Sequence, residues 1–285
     1  MDMQRADFNH QLVKVNGTSV HVVETGNRNG QPILFLHGYP QNWQAFEGVM
    51  NELKNDYYLL AIDLPGIGQS EGIKSGDKHA IAAFIRALVD VLKIEKITLV
   101  GHDIGGMVTY SFLRNFPAHL FRAVIMDTAV PGIAPWEEVK RNPQIWHFAF
   151  FAVPSLPETL ISGKQAALFD FFYDALSADK GAISDTKRKL YAAAYEKETS
   201  LKTSLDWYRA FPQDEKDNAD VVVVDVPVLY IRGDKEYGDI TKYVDGFRGK
   251  GMKNVKSELI PACGHFAPEE QTRKVASAIN AFMKG

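Results

Sequence analysis

Short apolar runs recur along the chain and have the length of strands that are buried on both faces. They cover residues 33–36, 59–62, 97–100, 123–126, 228–231 and 255–259. Helical patterns lie between several of them, most clearly in residues 79–92, where the apolar positions follow the 3.6-residue period of a helix. This alternation predicts an α/β fold in which a mostly parallel sheet carries helices on both faces.

Near the N-terminus, residues 12–15 and 20–24 flank the dipeptide Asn16-Gly17. Asn-Gly between two apolar stretches is typical of a tight turn, so these residues predict a β-hairpin.

The alternation of strand and helix stops after Met126 and resumes at Val221. The segment between is rich in aromatic residues and has helical rather than strand-like patterns. We therefore predict a helical cap at residues 133–212, inserted into a core that is formed by residues 1–132 and 213–285.

Composition narrows the class of partner. The chain has 285 residues, of which 46% are hydrophobic and 24% charged, as in ordinary globular proteins. Its 32 basic and 35 acidic residues give a net charge of -3, which argues against nucleic acid or a membrane surface as partner. The single cysteine, Cys263, excludes an intrachain disulfide and a thiolate zinc cluster.

The first ten residues, MDMQRADFNH, contain no apolar leader segment. No apolar run approaches the ~18 residues that a membrane span needs. We expect a cytoplasmic protein from the sequence as written, or a secreted or periplasmic one if a leader has been removed.

A candidate nucleophile stands in the sequence GHDIGG, at residues 101–106, directly after the third strand-like run of the predicted core. Small residues around a central nucleophile, between a strand and a helix, are typical of a nucleophile elbow. Asp103 occupies the central position. The plainer alternative is an ordinary turn in which Asp103 caps the helix.

Aspartate at this position changes the expected chemistry. Its carboxyl has an unperturbed pKa near ~3.9 and is anionic at neutral pH, so Asp103 needs no base to attack a saturated carbon. The product would be an ester of the enzyme, and water must then hydrolyse that ester.

The residues FLHGYP, at 35–40, together with the elbow, resemble the α/β-hydrolase fold family. The resemblance implies an oxyanion hole formed by the backbone N–H groups of Tyr39 and Ile104. It also implies a catalytic histidine after the last strand, where this chain has His265. An imidazole suits the activation of water at neutral pH. No metal or cofactor is expected.

Two carboxylates compete for the role of the acid that orients His265. Asp127 ends one apolar run, and Glu236 follows the next. The commoner hydrolase pattern has Asp where this chain has Glu236, whereas Met126-Asp127 resembles the placement in fluoroacetate dehalogenases and Cif-type epoxide hydrolases. We therefore favour Asp127 and keep Glu236 as the alternative.

The predicted cap also resembles the Cif-type epoxide hydrolases, in the sequences WHF at 146–148 and WYR at 207–209. In that subgroup a cap His and a cap Tyr hydrogen-bond the epoxide oxygen, and His147 and Tyr208 match them. The alternative is that both are ordinary core aromatic residues; Tyr191 and Tyr195 are the other candidate tyrosines.

These patterns favour an epoxide hydrolase that converts a small, apolar, uncharged epoxide to a vicinal diol through an ester on Asp103. A dehalogenase with the same nucleophile is an alternative, although Ile104 and Met107 replace the Trp or Arg residues that such enzymes use. A ligand-sensing protein without turnover is a second alternative. An exposed part of the aromatic cap is also compatible with a homodimer.

Overall fold

The computed structural model describes residues 8–285 as α/β, built on an eight-stranded sheet with the order β1-β2-β4-β3-β5-β6-β7-β8. Residues 1–7 lie outside the described part. They include most of the ten residues on which the expectation about a leader segment rests. The strands are β1 (Asn9–Val15), β2 (Thr18–Gly26), β3 (Pro32–Leu36), β4 (Tyr58–Ile62), β5 (Ile97–His102), β6 (Leu120–Met126), β7 (Val228–Gly233) and β8 (Val255–Ile260).

All six apolar runs fall within strands, and the α/β prediction is confirmed. The predicted hairpin is confirmed too, because β1 pairs with β2 antiparallel across Asn16-Gly17. The pair β2-β4 is also antiparallel, whereas every pair from β4 to β8 is parallel. The carboxyl ends of β5, β6 and β7 therefore meet at one edge of the sheet, which is where ligands bind in such folds.

Helices cover both faces of this sheet. Their bounds are α1 (Glu47–Leu53), α2 (Lys78–Val91), α3 (Ile104–Asn115), α4 (Trp136–Val139), α5 (Trp146–Ala152), α6 (Leu156–Ile161), α7 (Gln165–Leu176), α8 (Asp185–Ala194), α9 (Glu198–Arg209), α10 (Phe211–Asp217), α11 (Ile240–Gly249), α12 (Ala267–Glu270) and α13 (Thr272–Lys284). Within residues 8–285, no helix is long and apolar enough to cross a membrane.

Two hydrophobic clusters hold the layers together. One contains α1 and α13 on one face of the sheet. The other contains α2 and α3 on the opposite face and continues into the aromatic residues between β6 and β7. At its centre the ring of Tyr39 makes edge contacts with Phe151, Phe169, Tyr195 and Tyr208. The helices between β6 and β7 thus share a core with the sheet.

Helices α4 to α10 fill the interval between β6 and β7, and no strand is assigned to residues 127–227 of the described chain. Helix α10 extends beyond residue 212, where we placed the end of the cap. The division into a core and a 133–212 cap remains a prediction.

A buried ion pair ties α2 to α10. Lys78 Nζ lies 2.8 Å from Asp214 Oδ2, and their side chains are only 3% and 2% exposed. The same ammonium donates to the carbonyl of Trp207 in α9. It also lies 4.6 Å from the centre of the Phe211 ring. These contacts hold the start of α2 against α9 and α10.

We expect Lys78→Met to lower the free energy of unfolding by about 3–5 kcal/mol, because the substitution leaves Asp214 buried without its cation. Urea titration measures the change. Lys202→Met is the matched control, since Lys202 pairs with Asp206 at a surface position and should cost at most about 1 kcal/mol. Equal losses in the two variants would contradict the structural importance of the buried pair.

Candidate active site

The backbone packs so closely at the turn between β5 and α3 that only small residues fit beside Asp103. Asp103 sits there with φ 51° and ψ -119°, in a sparsely populated region for a residue with a side chain. A Cβ on Gly101 would lie 2.1 Å from the carbonyl oxygen of Gly105, and a Cβ on Gly105 would lie 2.1 Å from that of Leu36. These contacts explain the small residues of the motif.

The Asp103 side chain does not cap α3, so the plainer interpretation of the turn is wrong. Its Oδ1 instead accepts a hydrogen bond from the Tyr39 N–H at 2.8 Å. Burial raises the pKa of Asp103, against the charge of His265 and the Tyr39 and Ile104 N–H groups. The Tyr39 amide, one of the two that we predicted as oxyanion donors, therefore points at the Asp103 carboxylate.

His265 lies in the loop after β8, with Nε2 3.7 Å from Asp103 Oδ2. Its backbone is held on both sides: the N–H donates to the carbonyl of Leu176 at 2.9 Å, and the carbonyl is 2.7 Å from His102 Nε2. His102 is thus a structural residue. His37 is structural too, because its Nε2 accepts the Leu64 N–H at 2.9 Å.

The carboxylate bonded to His265 is Glu236, so our preference for Asp127 is not supported. Glu236 Oε1 lies 2.7 Å from His265 Nδ1. Asp127, at φ 46°, turns its carboxyl toward β7 instead, where Oδ1 accepts the Gly233 N–H at 2.9 Å. The loop after β7 brings the longer Glu236 side chain to the histidine, in the position where the commoner hydrolase pattern has Asp.

Charge around His265 decides its protonation. Burial acts to lower the pKa of His265, but the hydrogen bond and charge of Glu236, with the charge of Asp103, raise it to about 9. At neutral pH the imidazole is therefore protonated, and it forms an ion pair with each of its two carboxylate neighbours.

Sequence reasoning missed Arg232, a buried arginine at the end of β7. Its Nη1 lies 3.0 Å from Glu236 Oε2 and donates to the Tyr230 hydroxyl at 3.0 Å. The guanidinium stacks over the Tyr243 ring at 4.2 Å. Burial acts to raise the pKa of Glu236, but the charges of Arg232 and His265 bring it down to about 2. A charged residue that ends an apolar strand was the available signal.

Asp103 and His265 open onto a cavity of about 140 Å³ between the sheet edge and the inserted helices. His147 from α5 and Tyr208 from α9 line the same cavity, and their rings lie 5.9 Å apart. Burial and the charge of His265 lower the pKa of His147 to about 3, so its ring is neutral at physiological pH. His147 Nδ1 has no hydrogen-bond partner within residues 8–285.

The other candidate side chains are engaged elsewhere. The Tyr195 hydroxyl donates to the carbonyl of Gln41 at 2.7 Å, and the Tyr191 hydroxyl binds Glu269. Cys263 is buried, and burial raises the pKa of its thiol, which makes it a poor nucleophile. Tyr208 is therefore the tyrosine among the three candidates that reaches the cavity.

Known proteins resemble this chain over nearly its whole length. The soluble epoxide hydrolase of Corynebacterium sp. (strain C12) is 27% identical over 278 residues, which cover 94% of this chain and 95% of that protein. The crystal structure of Cfl2 from Burkholderia cenocepacia has a TM-score of 0.89 at 29% identity and covers 99% of this chain and 97% of its own. The structure of the epoxide hydrolase CorEH has a TM-score of 0.88 at 26% identity, with 98% and 99% covered.

A family model described as alpha/beta hydrolase fold matches residues 31–272. That interval contains the elbow, the histidine loop and both carboxylates. The chain belongs to the α/β-hydrolase fold family.

Proposed function

We propose that the protein is an epoxide hydrolase that converts an uncharged epoxide to a vicinal diol. The observation that carries the proposal is a single cavity lined by a carboxylate nucleophile, Asp103, and by two neutral hydrogen-bond donors, His147 and Tyr208. Its relatives named as epoxide hydrolases support the same reaction. An epoxide needs donors of this kind because its leaving oxygen stays tethered and acquires charge as the ring opens.

In the first step, Asp103 attacks one ring carbon. A bond forms between carboxylate oxygen and carbon, and the ring C–O bond breaks with its electron pair going to oxygen. Tyr208 gives that oxygen a proton, while the neutral His147 ring donates a hydrogen bond. The product is a hydroxyalkyl ester of Asp103.

In the second step, water hydrolyses the ester. His265 takes a proton from water as the oxygen attacks the ester carbonyl, and the N–H groups of Tyr39 and Ile104 stabilise the oxyanion. The carbonyl C–O bond of the tetrahedral species then breaks, and the hydroxyl proton of that species passes to the leaving alkoxide, which gives the diol and regenerates the Asp103 carboxylate. The proton taken from water restores the protonated His265 of the starting state, so epoxide and water are the only reactants consumed.

The first step also prepares the base for the second. The charge of Asp103 is one of the causes that raise the pKa of His265, and esterification removes that charge. The pKa of His265 therefore falls once the ester has formed, and its proton passes through water to Tyr208, which gave up a proton in the first step. The neutral imidazole needed to activate water is then available.

At a finer level, we propose that the protein works as the Cif-type enzymes do, with one histidine and one tyrosine in the cap. The support is that His147 and Tyr208 line the cavity together, whereas Tyr191 and Tyr195 are bonded elsewhere. A substrate without charge fits the apolar side chains of Ile104 and Met107 beside the nucleophile.

Parallel assays with styrene oxide and bromohexane separate the proposal from its alternatives. Diol from the first and no bromide from the second is the expected result. Bromide without diol would make the protein a dehalogenase, and neither product across a broad panel of neutral epoxides and haloalkanes would favour a sensor.

We expect His265→Gln to trap the ester, because the variant keeps the nucleophile and loses the base. Intact-mass analysis after incubation with styrene oxide should show a gain equal to one epoxide, and peptide mapping should locate it on Asp103. The double variant Asp103→Asn/His265→Gln is the control and should show no gain. An unmodified Asp103 in His265→Gln, while wild type forms diol, would rule out the covalent route.

Tyr208→Phe should slow formation of the ester by roughly 10²-fold, because one donor to the developing alkoxide is lost. Single-turnover mass analysis measures this step apart from ester hydrolysis. Tyr195→Phe removes a buried hydroxyl that binds the Gln41 carbonyl and should leave the rate within a few-fold. A larger effect in the Tyr195 variant than in the Tyr208 variant would mean that Tyr208 is not the donor.

Glu236→Gln should lower the pKa of His265 below about 9, because the variant loses the charge of Glu236, which together with its hydrogen bond raises that pKa most. Turnover should fall by roughly 10²–10⁴-fold as His265 loses its orientation. NMR titration of the imidazole gives the pKa directly. Glu258→Gln, an exposed change on β8, is the matched control. An unchanged His265 pKa in Glu236→Gln would exclude Glu236 as the orienting acid.

A further inference from the structure

Two carboxyl groups meet behind His265, and each has an oxygen without a donor. Asp127 is 1% exposed, and only its Oδ1 is bonded, to the Gly233 N–H. Its Oδ2 accepts no hydrogen bond from any group in residues 8–285. Glu236 uses Oε1 for His265, and its Oε2, although 3.0 Å from Arg232 Nη1, also accepts no hydrogen bond within the described chain.

Asp127 and Glu236 are both held against Gly233, because the Gly233 N–H donates to Asp127 Oδ1 at 2.9 Å and the Glu236 N–H donates to the Gly233 carbonyl at 3.2 Å. Their side chains lie within hydrogen-bonding reach of each other. Two ionised carboxylates are acceptors only, so they repel at such a separation and cannot bond. One proton held between them turns the repulsion into a charge-assisted hydrogen bond.

The charges of the buried cluster indicate where that proton resides. Arg232 is cationic, and His265 is cationic at neutral pH. Glu236 and Asp103 each carry one negative charge, which balances the two cations. An ionised Asp127 would add an uncompensated negative charge at the most buried of these carboxyls, and such a charge is costly.

We propose that Asp127 is a neutral carboxylic acid that donates a hydrogen bond to Glu236, and that it thereby acts as a positioning residue for the carboxylate that orients His265. The role of Glu236 in this statement rests on the proposed function. Asp127 itself touches neither the substrate carbon nor His265 in the proposed reaction.

The surrounding groups agree with this assignment. Burial and the charge of Glu236 raise the pKa of Asp127 well above its usual range, against the charges of His265 and Arg232 and the Gly233 N–H. The Asp127 donor and the Arg232 guanidinium both hold Glu236 Oε2, so Oε1 remains directed at His265 Nδ1.

Asp127→Asn tests the proposal because an amide keeps the shape, the acceptor for Gly233 and a donor toward Glu236. If Asp127 is neutral, the substitution changes no charge. We expect the pKa of His265, measured by NMR, to stay at its wild-type value, and turnover of styrene oxide to remain within about threefold. A lower His265 pKa in Asp127→Asn would overturn the proposal, because it would mean that an anion had been removed.

Infrared spectroscopy gives a second readout that needs no substrate. Wild type at neutral pH should show the carbonyl band of a protonated carboxylic acid, and Asp127→Asn should lack it. Absence of a difference between the two spectra would contradict a neutral Asp127. Failure to form diol with the band present would instead reject the proposed function and leave the protonation of Asp127 intact.

Asp127→Leu removes the donor at similar volume. Its kcat should fall by roughly 10–100-fold with KM little changed, the usual effect of losing a partner that orients an active-site group. Turnover in Asp127→Asn should then exceed that in Asp127→Leu. Equal turnover in the two variants would show that the hydrogen bond to Glu236 has no positioning role, and the Asn variant alone decides the matter if the Leu variant does not fold.

Discussion

The close approach of backbone at the turn after β5 is the constraint on which the rest of the site depends. Gly101 and Gly105 let β5, β3 and α3 pack with no room for a Cβ, and this packing holds Asp103 at a positive φ. A carboxylate directed away from its own helix can accept the Tyr39 N–H. The same orientation leaves its other oxygen toward His265. The proposed nucleophile, oxyanion donors and base are thus aligned by one strained turn.

The buried site also contains several ionised groups, and these groups must be paired because they have little contact with water. Such groups are tolerated when they are paired, and here each cation has a carboxylate neighbour. Arg232 and His265 sit on opposite sides of Glu236, so the acid stays ionised although it is buried. In the proposed reaction the balance changes when Asp103 becomes an ester, and the basicity of His265 changes with it. In the proposed reaction, the base that the second step needs is therefore produced by the electrostatic effect of the first.

Much of the fold follows from local patterns. The hairpin, the six apolar strands and α2 depend on periodicity and turn chemistry within short windows, and all were predictable. The elbow was predictable because its glycines and Asp103 are adjacent in sequence. The partner of His265 was not, since the choice between Asp127 and Glu236 depends on how two loops from different strands close over the histidine. Sequence spacing carries no information on side-chain reach of that kind.

The aromatic cluster around Tyr39 links catalysis to the evolution of substrate range. The backbone of this residue contributes an N–H to the nucleophile position, while its ring is packed by side chains from α5, α7 and α9. Substitutions within this cluster that enlarge the cavity will also disturb the position of the Tyr39 N–H. Gln144 and Tyr237 also line the cavity but are exposed. Substitutions at these two positions do not disturb the packing around Tyr39. Natural drift and laboratory selection for new substrates should therefore accumulate at the rim, leaving the aromatic interior unchanged.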